Sequence, residues 1–127
     1  MTAGDSLPTL RHQVQPAAMA VMAELLHDPN PIHLEPAAVK AAGLGERVIN
    51  QGPANLGYII NMLDSAFPDF RVAKIESRYL ANVRGGDVVI AGGTLLNATE
   101  NRLDCETWLR LESGETAVSA SAVLTRR

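Results

Sequence analysis

Between residues 53 and 67 the chain carries one helical period that is apolar on almost every side. Leu56, Ile59, Ile60, Leu63 and Phe67 fall at i, i+3, i+4, i+7 and i+11, while Ala54, Tyr58, Met62 and Ala66 carry apolar surface round most of the circumference. A helix of that kind cannot rest on a surface and has to be enclosed. Pro68 follows its end, and from Phe70 onward the period changes from helical to alternating. Spans 70–81, 87–97, 102–111 and 116–125 read as strands, divided by Arg84-Gly85-Gly86, residues 98–101 and Ser113-Gly114-Glu115. The clearest strand is 102–111. Leu103, Cys105, Thr107, Leu109 and Leu111 share one face, and Arg102, Asp104, Glu106, Trp108 and Arg110 the other, as in a half-buried antiparallel strand. An apolar helix followed by strands that alternate in this way points to a curled antiparallel sheet wrapped round a central helix, an α+β architecture.

Composition bounds this reading without deciding it. At 127 residues, 46% apolar and 20% charged, the chain is long enough for one domain, 1–127, with a substantial core. A net charge of −3, with no Lys/Arg cluster beyond Arg126-Arg127, offers nucleic acid no basic footprint. The polar start, residues 1–8, lacks a signal-peptide pattern, and no apolar run is long enough to span a membrane, so neither export nor a membrane partner is expected. A single cysteine excludes an internal disulfide and fits a reducing, cytoplasmic setting. Cys105, on the apolar face of its strand, is expected to be a small core residue.

Ahead of the helix, span 9–15 reads as a short first strand ended by Pro16, with His12 as a surface residue. Span 17–26 is helix-prone and apolar on several sides, which suits burial against the fold or a partner subunit. His27 ends it, where a cation favours the negative end of the helix dipole. Then comes His27-Asp-Pro-Asn-Pro-Ile-His-Leu-Glu-Pro36. Pro29, Pro31 and Pro36 fix their own φ and push Asp28, Asn30 and Glu35 out of the helical region. The segment is therefore a structured overhang between two helices, the second opening on Pro36 and ending at Gly43. It holds Asp28 and His33 in fixed relation. A carboxylate can hold or activate water, and an imidazole exchanges a proton near neutral pH, so the pair suits general acid-base work. The turn chemistry of Asp and Asn beside proline accounts for the same residues structurally.

Gly52 sits at the start of the long helix, preceding Pro53. A helix N-terminus presents unpaired N–H groups and positive potential, and a residue without Cβ lets a carbonyl approach them. This suits an oxyanion site, and equally a simple turn into the helix. Arg84-Gly85-Gly86-Asp87 reads as a turn, and Gly92-Gly93 inside a strand as a bulge or bend.

Asp28-x-Asn30-Pro31-Ile32-His33, followed by a short helix and by a Gly opening a long apolar segment, resembles the signature of the MaoC-like dehydratases and (R)-specific enoyl-CoA hydratases. The match rests on five fixed positions in order and extends over roughly residues 9–125. The resemblance implies the hotdog fold and reversible hydration of a trans-2-enoyl thioester of CoA or acyl carrier protein. It gives Asp28 and His33 the acid-base roles, the N–H of Gly52 the thioester carbonyl, and Asn30 the orientation of the overhang. Ile32, Gln51, Pro53, Asn55, Leu56 and Gly57 follow as substrate-side residues, with Ile32, Leu56, Tyr58, Ile59 and Met62 lining an acyl tunnel. It also implies a homodimer whose sheets join edge to edge with the site at the junction. No metal or cofactor is expected, since no second His or Cys stands at ligand spacing.

The chain departs from the family at Gln51-Gly52-Pro53, where many members carry His-Gly-Met. It also lacks the helix Ser that in some hydratases holds the catalytic Asp, for which Asn55 is the candidate replacement. Two other readings follow from these features: a non-catalytic hotdog subunit or acyl-thioester binding module, and a hotdog thioesterase. The last usually places its carboxylate on or beside the central helix; here no Asp or Glu stands at the start of that helix, and Asp64 lies near its far end.

Overall fold

A computed structural model describes residues 1–28 and 30–127. The order is β1 (Leu10–Gln13), α1 (Pro16–Leu25), a 3₁₀ turn (Pro31–His33), α2 (Pro36–Ala41), α3 (Gly52–Ala66), β2 (Phe70–Tyr79), β3 (Val88–Ala98), β4 (Arg102–Leu111) and β5 (Thr116–Arg126). The strands form one five-stranded sheet in the order β1-β3-β4-β5-β2, and every adjacent pair is antiparallel. It curls round α3, whose Ile59, Met62 and Leu63 are buried with Val89, Leu95, Leu109, Val118 and Leu124 of the sheet. Removing such side chains from water stabilises the fold by about 1.5–3 kcal/mol each, so this helix-sheet contact is its principal support. The arrangement is the hotdog fold.

Enclosure of α3 is less complete than its composition suggests. Leu56, Tyr58 and Ile60 remain half-buried, and Asn61, Asp64 and Ser65 are exposed. On α1, only Met19 and Ala23 are buried, while Val21 and Leu25 remain 58% and 69% exposed. The sheet has two ends: β1 is four residues long, whereas β2 runs ten residues and, among the described residues, pairs only with β5, leaving its outer edge unpaired. Among the described residues no helix is long and apolar enough to cross a membrane.

The glycine pair in β3 is not a bulge. Gly92 and Gly93 pair in regular register with Trp108 and Thr107, and the irregularity lies further on, between Leu95 and Asn97. Close approach explains the glycines instead. A Cβ on Gly92 would meet the Trp108 ring at 2.6 Å, and one on Gly93 would meet the Glu106 carbonyl oxygen at 2.1 Å. Arg110 stacks its guanidinium 3.9 Å from the centre of the Trp108 ring. The Arg84 to Asp87 turn is structural, as expected: the Asp87 carboxylate accepts from the Arg84 N–H, and the Asp87 N–H donates back to the Arg84 carbonyl.

Cys105 is a core residue, 1% exposed. Burial, with the neighbouring Asp104 charge adding to it, pushes the thiol up to about 11. The thiolate is the reactive form, so at about pH 8 the native protein should resist iodoacetamide and react readily once unfolded. Rapid labelling of the native chain would place Cys105 outside the core.

Candidate active site

The overhang is organised by its own polar side chains. Asp28 N–H donates to the Ala23 carbonyl, and His27 leaves the helix at φ 51°, so the chain turns out of α1 by a left-handed residue. That backbone turn, at an exposed His27, ends α1 where the sequence suggested a charge effect. The Asp28 carboxylate accepts from the Asn30 N–H at 3.2 Å, and the Asn30 side chain accepts from the Ile32 N–H at 3.2 Å. Asn30 thus caps the 3₁₀ turn that carries His33. Pro29, one of the three prolines on which the expected rigidity rests, lies outside the described residues.

His33 is anchored at Nδ1 and faces a carboxylate at Nε2. Its Nδ1 lies 2.6 Å from the Ile49 carbonyl oxygen, which can only accept, so Nδ1 carries the proton. Nε2 is thereby left as the exchanging position, and it faces Asp28 Oδ2 at 3.3 Å. The imidazole is 12% exposed and the carboxylate 40%, so the pair is sheltered on one side and open on the other. The structure thus brings together the two titratable groups that the sequence singled out. It also ties Ile49 to the same turn, through its N–H to the Ile32 carbonyl at 2.8 Å. Ile32 is partly buried and packs against the core.

Gly52 opens α3 three residues beyond Ile49. A Cβ there would lie 3.3 Å from ring atoms of Tyr79, tighter than most contacts, so a side chain would crowd β2. Pro53 has no N–H to offer, so Gly52 and Ala54 carry the early N–H groups of the helix end.

The remaining substrate-side candidates separate. Gln51 is 1% exposed and donates to the Met19 carbonyl at 2.9 Å, binding α3 to α1 from inside. Its Oε1 is one of two buried side-chain oxygens or nitrogens without a partner among the described residues. Asn55, 4% exposed, accepts from Asn50 Nδ2 at 2.7 Å. It therefore holds Asn50, correcting the expectation that it stands in for a Ser supporting Asp28. Ile59 and Met62 are core residues rather than tunnel wall, at 0% and 1% exposure. Leu56 is half-buried. Pro53, Gly57 and Tyr58 line a cavity of about 220 Å³ between β1, α1 and α3, together with His12, Met19 and Asn50. Among the described residues, nothing beyond its chain neighbours and the backbone of its own helix lies within 4 Å of the position a Gly57 Cβ would take.

Two residues carry more than the sequence showed. His12 is an exposed strand residue, as expected, and its ring centre also lies 4.7 Å from that of Tyr58. Asn50 is 4% exposed and donates to both Asn55 and the Tyr58 hydroxyl, the latter at 3.3 Å. Burial raises the Tyr58 hydroxyl above the ordinary phenol range, and the Asn50 hydrogen bond works against that shift. A signal for Asn50 existed: two amides, Asn50-Gln51, directly follow Val48-Ile49 at the mouth of an apolar helix.

Set beside known proteins, the chain matches the MaoC like domain family model over residues 2–118. No curated protein matches it in sequence. Among solved structures it is similar to the (R)-hydratase from A. caviae involved in PHA biosynthesis, with a TM-score of 0.91 at 24% identity, covering 100% of this chain and 98% of that one. The R-hydratase PhaJ1 from Pseudomonas aeruginosa gives 0.88 at 18% identity, covering 99% and 82%. The ChsH1-ChsH2 complex from Mycobacterium tuberculosis gives 0.87 at 18%, covering 100% and 99%.

Proposed function

This chain belongs to the MaoC-like domain family, and from that premise we propose that it catalyses reversible hydration of a trans-2-enoyl thioester to a 3-hydroxyacyl thioester. One observation carries the reading: His33 Nε2 faces Asp28 Oδ2 at 3.3 Å while Nδ1 is committed to the Ile49 carbonyl. A water held by the pair adds its hydroxyl to C3 as one member removes its proton, and the other member delivers a proton to C2. The atoms of one water are consumed, and a proton passing between His33 and Asp28 across the 3.3 Å gap restores each to its starting protonation. The N–H at Gly52 stabilises the enolate-like oxygen as negative charge develops there.

The acyl group is carried on CoA or on acyl carrier protein phosphopantetheine, and the residues nearest it are Asn30, Ile32, Pro53, Leu56 and Gly57. Gln51 and Asn55, having internal partners, shape the site from behind. A reducing cytoplasm suits the buried thiol of Cys105. The test is the rate at which the enoyl-thioester absorbance is lost when the protein is given crotonyl-CoA and longer enoyl-CoA thioesters. Hydration well above the buffer rate is expected, and none with any chain length contradicts the reading.

The working unit of this reading is a homodimer joined along β2, whose ten-residue edge is unpaired. An edge of that length invites a strand from another copy, and pairing there would cover apolar surface at Tyr79 and Leu80, 53% and 57% exposed. Light scattering at micromolar concentration should give twice the 13.6 kDa chain mass; a monomer throughout would remove the dimer.

A further inference from the structure

We propose that Asn50 is a positioning residue for His33, acting through the peptide group that joins Ile49 to Asn50. The inference rests on the reading that His33 and Asp28 form the catalytic pair. Both ends of that peptide group are occupied. Its carbonyl accepts from His33 Nδ1 at 2.6 Å, and its N–H donates to the Val83 carbonyl at 2.6 Å. Rotation of the plane would break both bonds together, so its orientation decides where the imidazole points.

The Asn50 side chain fixes this plane from the helix side. It is 4% exposed, and Nδ2 spends its two protons on Asn55 Oδ1 at 2.7 Å and on the Tyr58 hydroxyl at 3.3 Å. Asn55 lies in the first turn of α3 and is itself 4% exposed. Three parts of the fold therefore converge on one peptide group: the overhang through His33, the segment before β3 through Val83, and α3 through Asn55 and Tyr58. Buried amides are costly unless paired, and leucine would fill a similar volume without that cost. Two amides hydrogen-bonded to each other give direction, which leucines cannot, and the direction is spent on the carbonyl that holds Nδ1–H. Nε2 is then presented to Asp28 in one tautomer.

The test uses Asn50→Leu, the double variant Asn50→Leu/Asn55→Leu, and Tyr58→Phe, each measured in two ways. Imidazole nitrogen shifts of ¹⁵N-histidine-labelled protein report the His33 tautomer, whatever the activity. Steady-state kinetics on crotonyl-CoA separate kcat from KM. Wild type should show the Nδ1–H form alone. The double variant, which removes both buried amides and leaves neither unpaired, should show a mixture of tautomers. Its kcat should fall roughly 10- to 100-fold with KM changed by less than about threefold, the scale of a small misplacement of a catalytic group. Tyr58→Phe, which loses the longer of the two bonds, should show a smaller change in the same direction.

A folded double variant with the wild-type tautomer and kcat would overturn the proposal. Should the leucine variants fail to fold, an Nε2–H tautomer in wild type or an unchanged Tyr58→Phe would overturn it as well. A wild type that holds the Nδ1–H form yet hydrates nothing would instead refute the proposed function, with the tautomer shift still deciding the role of Asn50.

Discussion

Asp28→Asn and His33→Ala should each lower turnover on enoyl thioesters by about 10²-fold or more, the usual range for losing a general acid or base. Neither change should unfold the protein. The Asp28 carboxylate is 40% exposed, and an Asn there still accepts the 3.2 Å hydrogen bond from the Asn30 N–H. His33→Ala removes a ring from a partly open site and frees the Ile49 carbonyl, whose residue stays tied to Ile32 through its own N–H. The check is kcat on crotonyl-CoA alongside a thermal melt. A folded variant with wild-type kcat would remove that residue from the chemistry. A variant that melts far below wild type would make the overhang a structural device instead.

The largest effect on stability should come from Gly93→Ala. A Cβ there would lie 2.1 Å from the Glu106 carbonyl oxygen and 2.9 Å from Thr107 Cα, both backbone atoms of the neighbouring strand. Relief requires the ladder between β3 and β4 to part in the middle of the sheet. The cost should be about 3 kcal/mol or more, at or beyond the upper range for overpacking a core. At Gly92 the obstacle is the far end of the Trp108 side chain, which can move, so Gly92→Ala should cost less and show chiefly as altered Trp108 fluorescence. Gly57→Ala should act in the opposite direction. Among the described residues its Cβ meets nothing within 4 Å beyond its chain neighbours and its own helix backbone, and Gly inside a helix costs roughly 0.5–1 kcal/mol relative to Ala. Urea midpoints in the order Gly57→Ala, wild type, Gly92→Ala, Gly93→Ala, highest first, are expected; a Gly93→Ala midpoint at the wild-type value would show that the strands part without cost.

These contrasts mark where local sequence stopped being informative. β4 was legible to the residue, Arg102–Leu111, because strict alternation lies between two polar turns and needs no knowledge of its neighbours. α3 was legible for the same reason, within one residue at each end. The glycine pair was not, because its cause is Trp108 and Glu106 on another strand, and register between strands is absent from either strand alone. The contact between His12 and Tyr58 was hidden for the same reason, since Tyr58 comes beside His12 only when β1 is laid along α3. Within the site, Asp28 and His33 stood out because prolines and a short spacing confine them. The anchor on Nδ1 is a backbone carbonyl, Ile49, which no side-chain pattern reveals. Asn50 and Asn55 lie close enough in sequence to have been paired, but two amides at that spacing more often face solvent, and only their burial gives them a role.

The most direct measurement of the central claim follows oxygen rather than absorbance. The protein is incubated with crotonyl-CoA in water enriched in heavy oxygen, and the products are resolved by mass spectrometry. The hydration account predicts 3-hydroxybutyryl-CoA with one heavy oxygen at C3 and an intact thioester. Heavy oxygen in a released carboxylate would mean thioester hydrolysis, and a substrate that binds without taking up any would mean a binding module; either result contradicts the assignment of Asp28 and His33 as a hydrating pair.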